Sequence, residues 1–404
     1  MLIYDKFASK KDHRFFKNAE LSKKFKNLNE KNLKGAVAYT DAMVDDSRLV
    51  LRVLQDSIDL GGYAINYTEA KELIIKNSKV VGVKIQDKTS STLLSLEAPT
   101  VINATGAWAD LVRKDVCDEQ KVRPLRGSHA VISASICPVS DVFTFLHPKD
   151  KRGVYVYPWE NAIVLGTTDL DHNEELNSEP KISNKELNYL IDGFNSQFDK
   201  VKIDRKDIIS TWAGVRPVIG SGKGKDPSKE RRDHVVWNDN GLITVSGGKL
   251  TTFRLIALDT LDQAKATLPK PKDIDDHAMF KTPQKTGHHV DASNPMHSKR
   301  LLGRYGDKAT KLLRTIRNNE DQFIGESNYW LTECRWAIAN EAIEHIDDLM
   351  LRRTRLGMCL PDGAKNLLPR LKILFTEERN WTDEKWNEEV DRYNQIWRDS
   401  YYIP

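Results

Sequence analysis

The chain has 404 residues, a length that suits two or three domains and a large buried core. Lysine plus arginine number 62 and aspartate plus glutamate 58, and a net charge of +4 gives no reason to expect nucleic-acid binding. No run approaches the ~18 consecutive apolar residues of a membrane-spanning helix, and Met1-Leu-Ile-Tyr-Asp-Lys6 reaches charge too early for a secretion signal.

Taken in chain order, residues 1–34 carry nine lysines and few apolar side chains, which predicts a solvated, partly helical surface segment. Asp45-Asp46-Ser47 before Arg48–Leu60, with Gly61-Gly62 after it, marks the start and stop of a helix. Strands are predicted at Tyr63–Thr68, Leu73–Ile75 and Val80–Ile85, the last two joined by a hairpin turn at Lys76–Lys79. Thr100–Gly106 reads as a buried strand ending in a glycine turn, and Ala107–Arg113 as a helix start. Val154–Tyr157 and Ala162–Leu165 flank a turn at Trp159–Asn161, and Ser183 with Glu186 forms a capping box. The run 221–230 reads as a flexible polar loop. Val235–Trp237 and Leu242–Val245 read as a hairpin closed by Asn238–Gly241, with a helix starting near Leu250.

Beyond a linker rich in proline, lysine, aspartate and histidine, the pattern turns helical. Leu301, Leu302 and Tyr305 recur at helical spacing, as do Ala337, Ile338, Ala342, Ile343 and Ile346. The expected division is 1–268, a linker 269–297, and a helical domain 298–404. The four cysteines, Cys117, Cys137, Cys334 and Cys359, are far apart and form no CxxC pair. That argues against a disulfide framework or zinc site and for a reducing cytoplasm.

Four segments have chemical content. Val245-Ser-Gly-Gly-Lys-Leu-Thr-Thr-Phe-Arg254 runs a strand through two glycines into a helix N-terminus, where free N–H groups attract an anion or an electron-rich ring edge. Its lone GGK is not a Walker A loop, since the first glycine is missing. In Trp212-Ala-Gly-Val-Arg-Pro-Val218 the proline holds Arg216 in extended backbone, and arginine offers a planar fork to phosphate or carboxylate. Val122-Arg-Pro-Leu-Arg-Gly-Ser-His-Ala-Val131 brings His129 into a strand, and Gly166-Thr-Thr-Asp169 places polar residues at a strand end. Each alone also has an ordinary structural reading. His288-His289 lacks further metal ligands nearby.

Their joint order is specific. Asn103-Ala-Thr-Gly-Ala-Trp108, Arg126-Gly-Ser-His129, Gly166-Thr-Thr-Asp169, Gly214-Val-Arg-Pro217 and Gly247-Gly-Lys-Leu-Thr-Thr252 follow one another at one family's spacing. The sequence resembles the FAD-dependent glycerol-3-phosphate dehydrogenases and their relatives the glycerophosphate oxidases, from about Gly35 onward. Asp347-Asp-Leu-Met-Leu-Arg-Arg-Thr-Arg-Leu356 looks like that family's C-terminal accessory domain.

The resemblance implies an α/β (α+β) flavoprotein: an FAD-binding layer, an antiparallel-sheet substrate domain, and an all-α C-terminal domain. It implies oxidation of sn-glycerol 3-phosphate to dihydroxyacetone phosphate in the cytoplasm or peripherally at the inner membrane face. Electrons would pass to a quinone or another acceptor. No nucleic-acid partner is expected, and self-association is. Ala104, Thr105, Gly106 and Trp108 match the strand end beside the dinucleotide, while Gly247, Gly248, Lys249, Leu250 and Thr251 match the turn against the flavin ring. Arg216 matches the phosphate-holding arginine and Arg232 a second basic position. Lys249 and Thr252 match substrate contacts, and His129 the base for the C2 hydroxyl.

The family opens with a βαβ unit carrying GxGxxG, and the 404 residues contain no such motif. The expectation is therefore a chain lacking roughly 100 residues of the family's dinucleotide unit. A glycerophosphate oxidase using oxygen, and a non-catalytic remnant that binds anionic metabolites or a partner chain, stay open as alternatives.

Overall fold

The computed structural model describes residues 5–6, 12–31, 33–220, 233–270, 279–280 and 295–404. β1 (Arg14–Lys17) and β2 (Gly35–Ala38) form an antiparallel ribbon around α1 (Asn18–Lys24). The segment after α1 is not wholly solvated: Leu28 is buried in the main core. α2 (Asp46–Asp59) starts where the Asp45 side chain accepts the Arg48 N–H, as the acid-serine signal predicts.

β3 (Thr68–Lys76), β4 (Lys79–Asp87) and β5 (Leu93–Glu97) make an antiparallel sheet, its first turn built on Asn77 and Ser78 at φ 51° and 60°. The strand predicted at Tyr63–Thr68 is absent, because residues 63–66 find no ladder partner and Tyr63 stands 95 % exposed. β-propensity without a facing edge does not make a strand.

β6 (Val101–Asn103) leads through a 3₁₀ turn (Gly106–Trp108) into α3 (Ala109–Arg113). The large sheet holds β7 (Val122–Ser133), β8 (Phe143–Leu146), β9 (Gly153–Trp159), β10 (Ala162–Gly166) and β11 (Leu170–Asp171). After α4 (Asn184–Gln197) comes β12 (Ile208–Ile219), which pairs with the other edge of β7. α4 opens with the predicted Ser183–Glu186 capping box and covers one sheet face, burying Leu187, Leu190 and Phe194 against Ala130, Ile132, Ile163 and Leu165.

β13 (His234–Asp239) and β14 (Leu242–Gly247) form the predicted hairpin, and β14 pairs in parallel with β6. The helix predicted near Leu250 starts later: Leu250–Thr252 is one 3₁₀ turn, and α5 follows (Phe253–Ala264).

The C-terminal part is helical: α6 (Pro295–Tyr305), α7 (Lys308–Leu313), α8 (Leu331–Asn340), a π-helical segment (Asp348–Arg353), α9 (Leu356–Cys359), α10 (Leu368–Arg379) and α11 (Asp383–Ser400). The helical period predicted through Ala342–Ile346 breaks at Asn340, where Glu341 leaves the helix to meet Arg48 at 2.7 and 2.8 Å and Ala342 takes φ 49°. This part has its own core around Tyr329, Leu349, Phe375 and Trp397, yet it is not loosely attached. Cys359 packs on Val131, Ala162 and Val164, and Ser210 donates to the Met358 carbonyl at 2.6 Å. Thus α4 covers one face of the large sheet and the C-terminal helices part of the other. Among the described residues no helix is long and apolar enough to cross a membrane.

Candidate active site

Strand alternation decides which residues of β7 face which side. Arg126 and Ser128 point toward α4, donating to the Glu186 carboxylate at 2.9 and 2.8 Å. Gly127 and His129 therefore belong to the opposite face. In register, His129 lies beside Gly166 of β10 and Trp212 of β12.

Arg216, paired with Leu125 on β12, folds its guanidinium back over Gly127. Its Nη1 donates to Asp169 Oδ1 at 3.3 Å and its Nη2 to Thr167 Oγ1 at 3.0 Å. The Gly166–Asp169 strand end, flagged in sequence only as polar, thus supplies the partners of the arginine flagged separately.

His129 stacks flat on Trp212, with ring centroids 3.8 Å apart and an interplanar angle of 8°. Its Nδ1 is sealed from solvent without a hydrogen-bond partner in the structure. Burial, and then the positive charge of Arg216, pull the imidazole pKa down to about 3. His129 is therefore neutral at physiological pH.

With the folded pKa below the unfolded one, stability is whole above about pH 6.5 and declines as pH falls toward the folded pKa. Between pH 7 and 5 His129 should cost about 2 kcal/mol. In urea unfolding, His129→Gln should lack that share of the acid sensitivity; equal slopes in both proteins would remove it.

The second half of the site lies at the ends of β6 and β14. Asn103 ties them, donating to Ala109 O at 3.0 Å and Thr244 Oγ1 at 3.3 Å, while accepting from Thr105 Oγ1 at 2.7 Å. Ala104 and Thr105 are exposed before Gly106, and Trp108 reaches Asn177 through its indole N–H at 3.1 Å. Gly247 and Gly248 both adopt left-handed backbone, at φ 80° and 82°. A Cβ would stand 2.6 Å from the Asp233 carbonyl at the first and 2.6 Å from Ile256 at the second. Only glycine makes this turn.

Lys249, Leu250 and Thr251 follow at the surface, and Thr252 donates its hydroxyl to the Lys249 carbonyl at 3.0 Å. The Lys249 ammonium makes no hydrogen bond or ion pair with another described residue. Arg232 lies outside the described residues.

The end of β12 brings the halves together at backbone level. A Cβ at Gly106 would touch Pro217 at 3.8 Å, and one at Gly247 would press on Ile219 at 3.0 Å. Arg216 thereby precedes by one and by three residues the two side chains, Pro217 and Ile219, that abut the glycine turns. No contact joins the Arg216 and Lys249 side chains themselves.

These residues fit the ring-bearing end of a flavin. The turn before α5 offers exposed backbone, and the Ser246 hydroxyl just ahead of it is buried without a hydrogen-bond partner in the structure. They do not fit the diphosphate end, since no GxGxxG turn exists in the 404 residues.

The family model described as FAD dependent oxidoreductase matches residues 3–254, and the one described as C-terminal domain of alpha-glycerophosphate oxidase matches residues 276–386. The aerobic glycerol-3-phosphate dehydrogenase of Bacillus subtilis is 29% identical, the match covering 91% of this chain and 70% of that protein. The enzyme of the same name from Staphylococcus saprophyticus is 30% identical, covering 88% and 68%. The solved glycerol-3-phosphate dehydrogenase of Bacillus halodurans, complexed with FAD, superposes with a TM-score of 0.75 at 23% identity, covering 96% of this chain and 79% of that one, which shows the same fold. With family matches across both the sheet-bearing part and the C-terminal helices, the chain belongs to the FAD-dependent oxidoreductases and carries their glycerophosphate-oxidase type of C-terminal domain.

Proposed function

We propose that the site oxidises sn-glycerol 3-phosphate to dihydroxyacetone phosphate and passes the electrons to a quinone. The observation that carries this reading is the Arg216 guanidinium, held at the strand end that abuts both glycine turns. The names of the two dehydrogenase relatives support the substrate.

FAD, when bound, supplies the acceptor for the hydride leaving C2. Arg216 binds the phosphate, with Arg232 as its second cation. His129 accepts the hydrogen bond of the C2 hydroxyl. A neutral imidazole keeps one ring nitrogen unprotonated, and with such low basicity that nitrogen takes the hydroxyl proton only as the hydride departs. Lys249 and the N–H groups of the Gly247–Thr251 turn offset negative charge on the ring, with Ala104–Gly106 and Trp108 beside the dinucleotide. Thr252 caps the Lys249 carbonyl and keeps that turn closed. A quinone acceptor places the protein peripherally at the inner membrane face.

The missing diphosphate turn has a direct consequence: the 404-residue chain should hold FAD weakly and emerge nearly colourless from gel filtration. Stoichiometric visible flavin absorbance would overturn that. With FAD added, glycerol 3-phosphate should reduce a quinone without oxygen. Hydrogen peroxide formation instead would identify the oxidase. No reduction of either would leave a non-catalytic anion binder.

A further inference from the structure

Asp169 is only 6 % exposed and lies between two arginines. Its Oδ1 accepts from Arg216 Nη1 at 3.3 Å, and its Oδ2 lies 3.7 Å from Arg152 Nη1, which also donates to the Asp169 carbonyl at 3.0 Å. One carboxylate is thus shared by two guanidinium groups. Thr167 gives its hydroxyl hydrogen to the Thr168 carbonyl at 2.9 Å. Its Oγ1 can therefore only accept from Arg216 Nη2, which fixes the polarity of that contact.

The third wall is the missing side chain of Gly127. A Cβ there would overlap Arg216 Nη2 and stand 2.7 Å from both Cζ and Thr167 Oγ1. The guanidinium lies flat where only glycine leaves room.

Stability does not explain this arrangement. The Arg216 side chain is 36 % exposed, and ion pairs with that much solvent contribute little to folding. Orientation does explain it. An arginine ordered before its ligand arrives spares the binding step the loss of rotamer freedom.

We propose that Gly127, Thr167 and Asp169 are the positioning residues of Arg216 and set the preference for a substrate carrying a phosphate monoester. This rests on the reading that Arg216 holds the substrate phosphate.

The test is calorimetric titration of the whole 404-residue chain with sn-glycerol 3-phosphate, with glycerol as the control lacking phosphate. Gly127→Ala leaves the backbone unstrained and meets only side-chain ends, so the protein keeps its fold while the guanidinium is displaced. Kd should rise about 10-fold or more in Gly127→Ala and about 3- to 10-fold in Asp169→Asn and in the isosteric Thr167→Val. In the Arg216→Ala background, Gly127→Ala should add less than about 2-fold, since both changes act through one group.

Binding by Gly127→Ala, Asp169→Asn and Thr167→Val equal to the unmodified chain, while Arg216→Ala weakens it, overturns the positioning role alone. Additive effects in the double variant do the same. An Arg216→Ala chain that binds as well as the unmodified one, or an unmodified chain that binds no glycerol 3-phosphate, overturns the underlying reading as well.

Discussion

Arg216→Ala should raise KM for glycerol 3-phosphate about 10- to 100-fold in enzyme supplied with FAD. In this reaction a hydride leaves C2, while the phosphate on the neighbouring carbon changes no charge. A residue that grips the phosphate contributes about equally to ground and transition states, so its loss appears mainly in KM. A charge-assisted contact is typically worth about 1.5–3 kcal/mol, which sets the size of the change. Some fall in kcat should accompany it, because a loosely held substrate presents C2 less accurately. Lys249→Ala should lose kcat as well, since that side chain stands at the surface of the turn assigned to the flavin ring. Steady-state kinetics on the two variants separates the roles. An unchanged KM in Arg216→Ala would take that arginine out of the phosphate site.

The largest stability loss is expected at Glu333, in the helix α8 of the C-terminal part. Its side chain is fully buried and accepts from Arg300 at 2.9 and 3.1 Å, Tyr305 at 2.9 Å and the Trp330 N–H at 3.0 Å, with Arg304 at 3.7 Å. Burial pushes the carboxyl pKa up, but Arg300 and Arg304, with those hydrogen bonds, bring it net below its ordinary value. The same two arginines hold Glu160 at the β9–β10 turn, and Arg304 reaches Asp45 at 2.8 Å, so the cluster fastens the C-terminal helices to the sheet and to α2. Glu333→Ala strips two buried guanidinium groups of a shared partner, at a cost of about 3–5 kcal/mol. That is a large share of the roughly 5–15 kcal/mol that folded domains possess. Urea unfolding followed by tryptophan fluorescence reads it directly, and a loss below about 1 kcal/mol would show that Glu160 and Asp45 suffice. With the folded carboxyl pKa lowered, this contribution is present above the unfolded pKa and disappears as pH falls through the folded one.

What the sequence determined about this protein has a short physical range. Asp45 capping α2, the Ser183–Glu186 box, the turns at Asn77-Ser78 and Asn240-Gly241, and the glycines at 247 and 248 depend on backbone dihedrals and hydrogen bonds within a few residues. Such signals can be read in a single chain, as can the order of motifs that names the family and the absence of GxGxxG. The tertiary structure decided the rest. Leu28 looked solvated beside so many lysines, and Tyr63–Thr68 looked like a strand until no edge was there to receive it. The period through Ile346 looked continuous until Glu341 was drawn out to Arg48. At the site, Arg216, Thr167, Asp169 and Gly127 come from three separate stretches of chain. They meet only because β12 pairs with β7 in one register and alternation turns Gly127 toward the arginine while Ser128 turns away. A shift of that register by one residue would send Arg216 to the other face of the sheet, away from Gly127, Thr167 and Asp169. The depressed pKa of His129 is of the same kind, a product of burial and then of the Arg216 charge, both arising where β12 lays Trp212 on the imidazole and brings Arg216 to the same face.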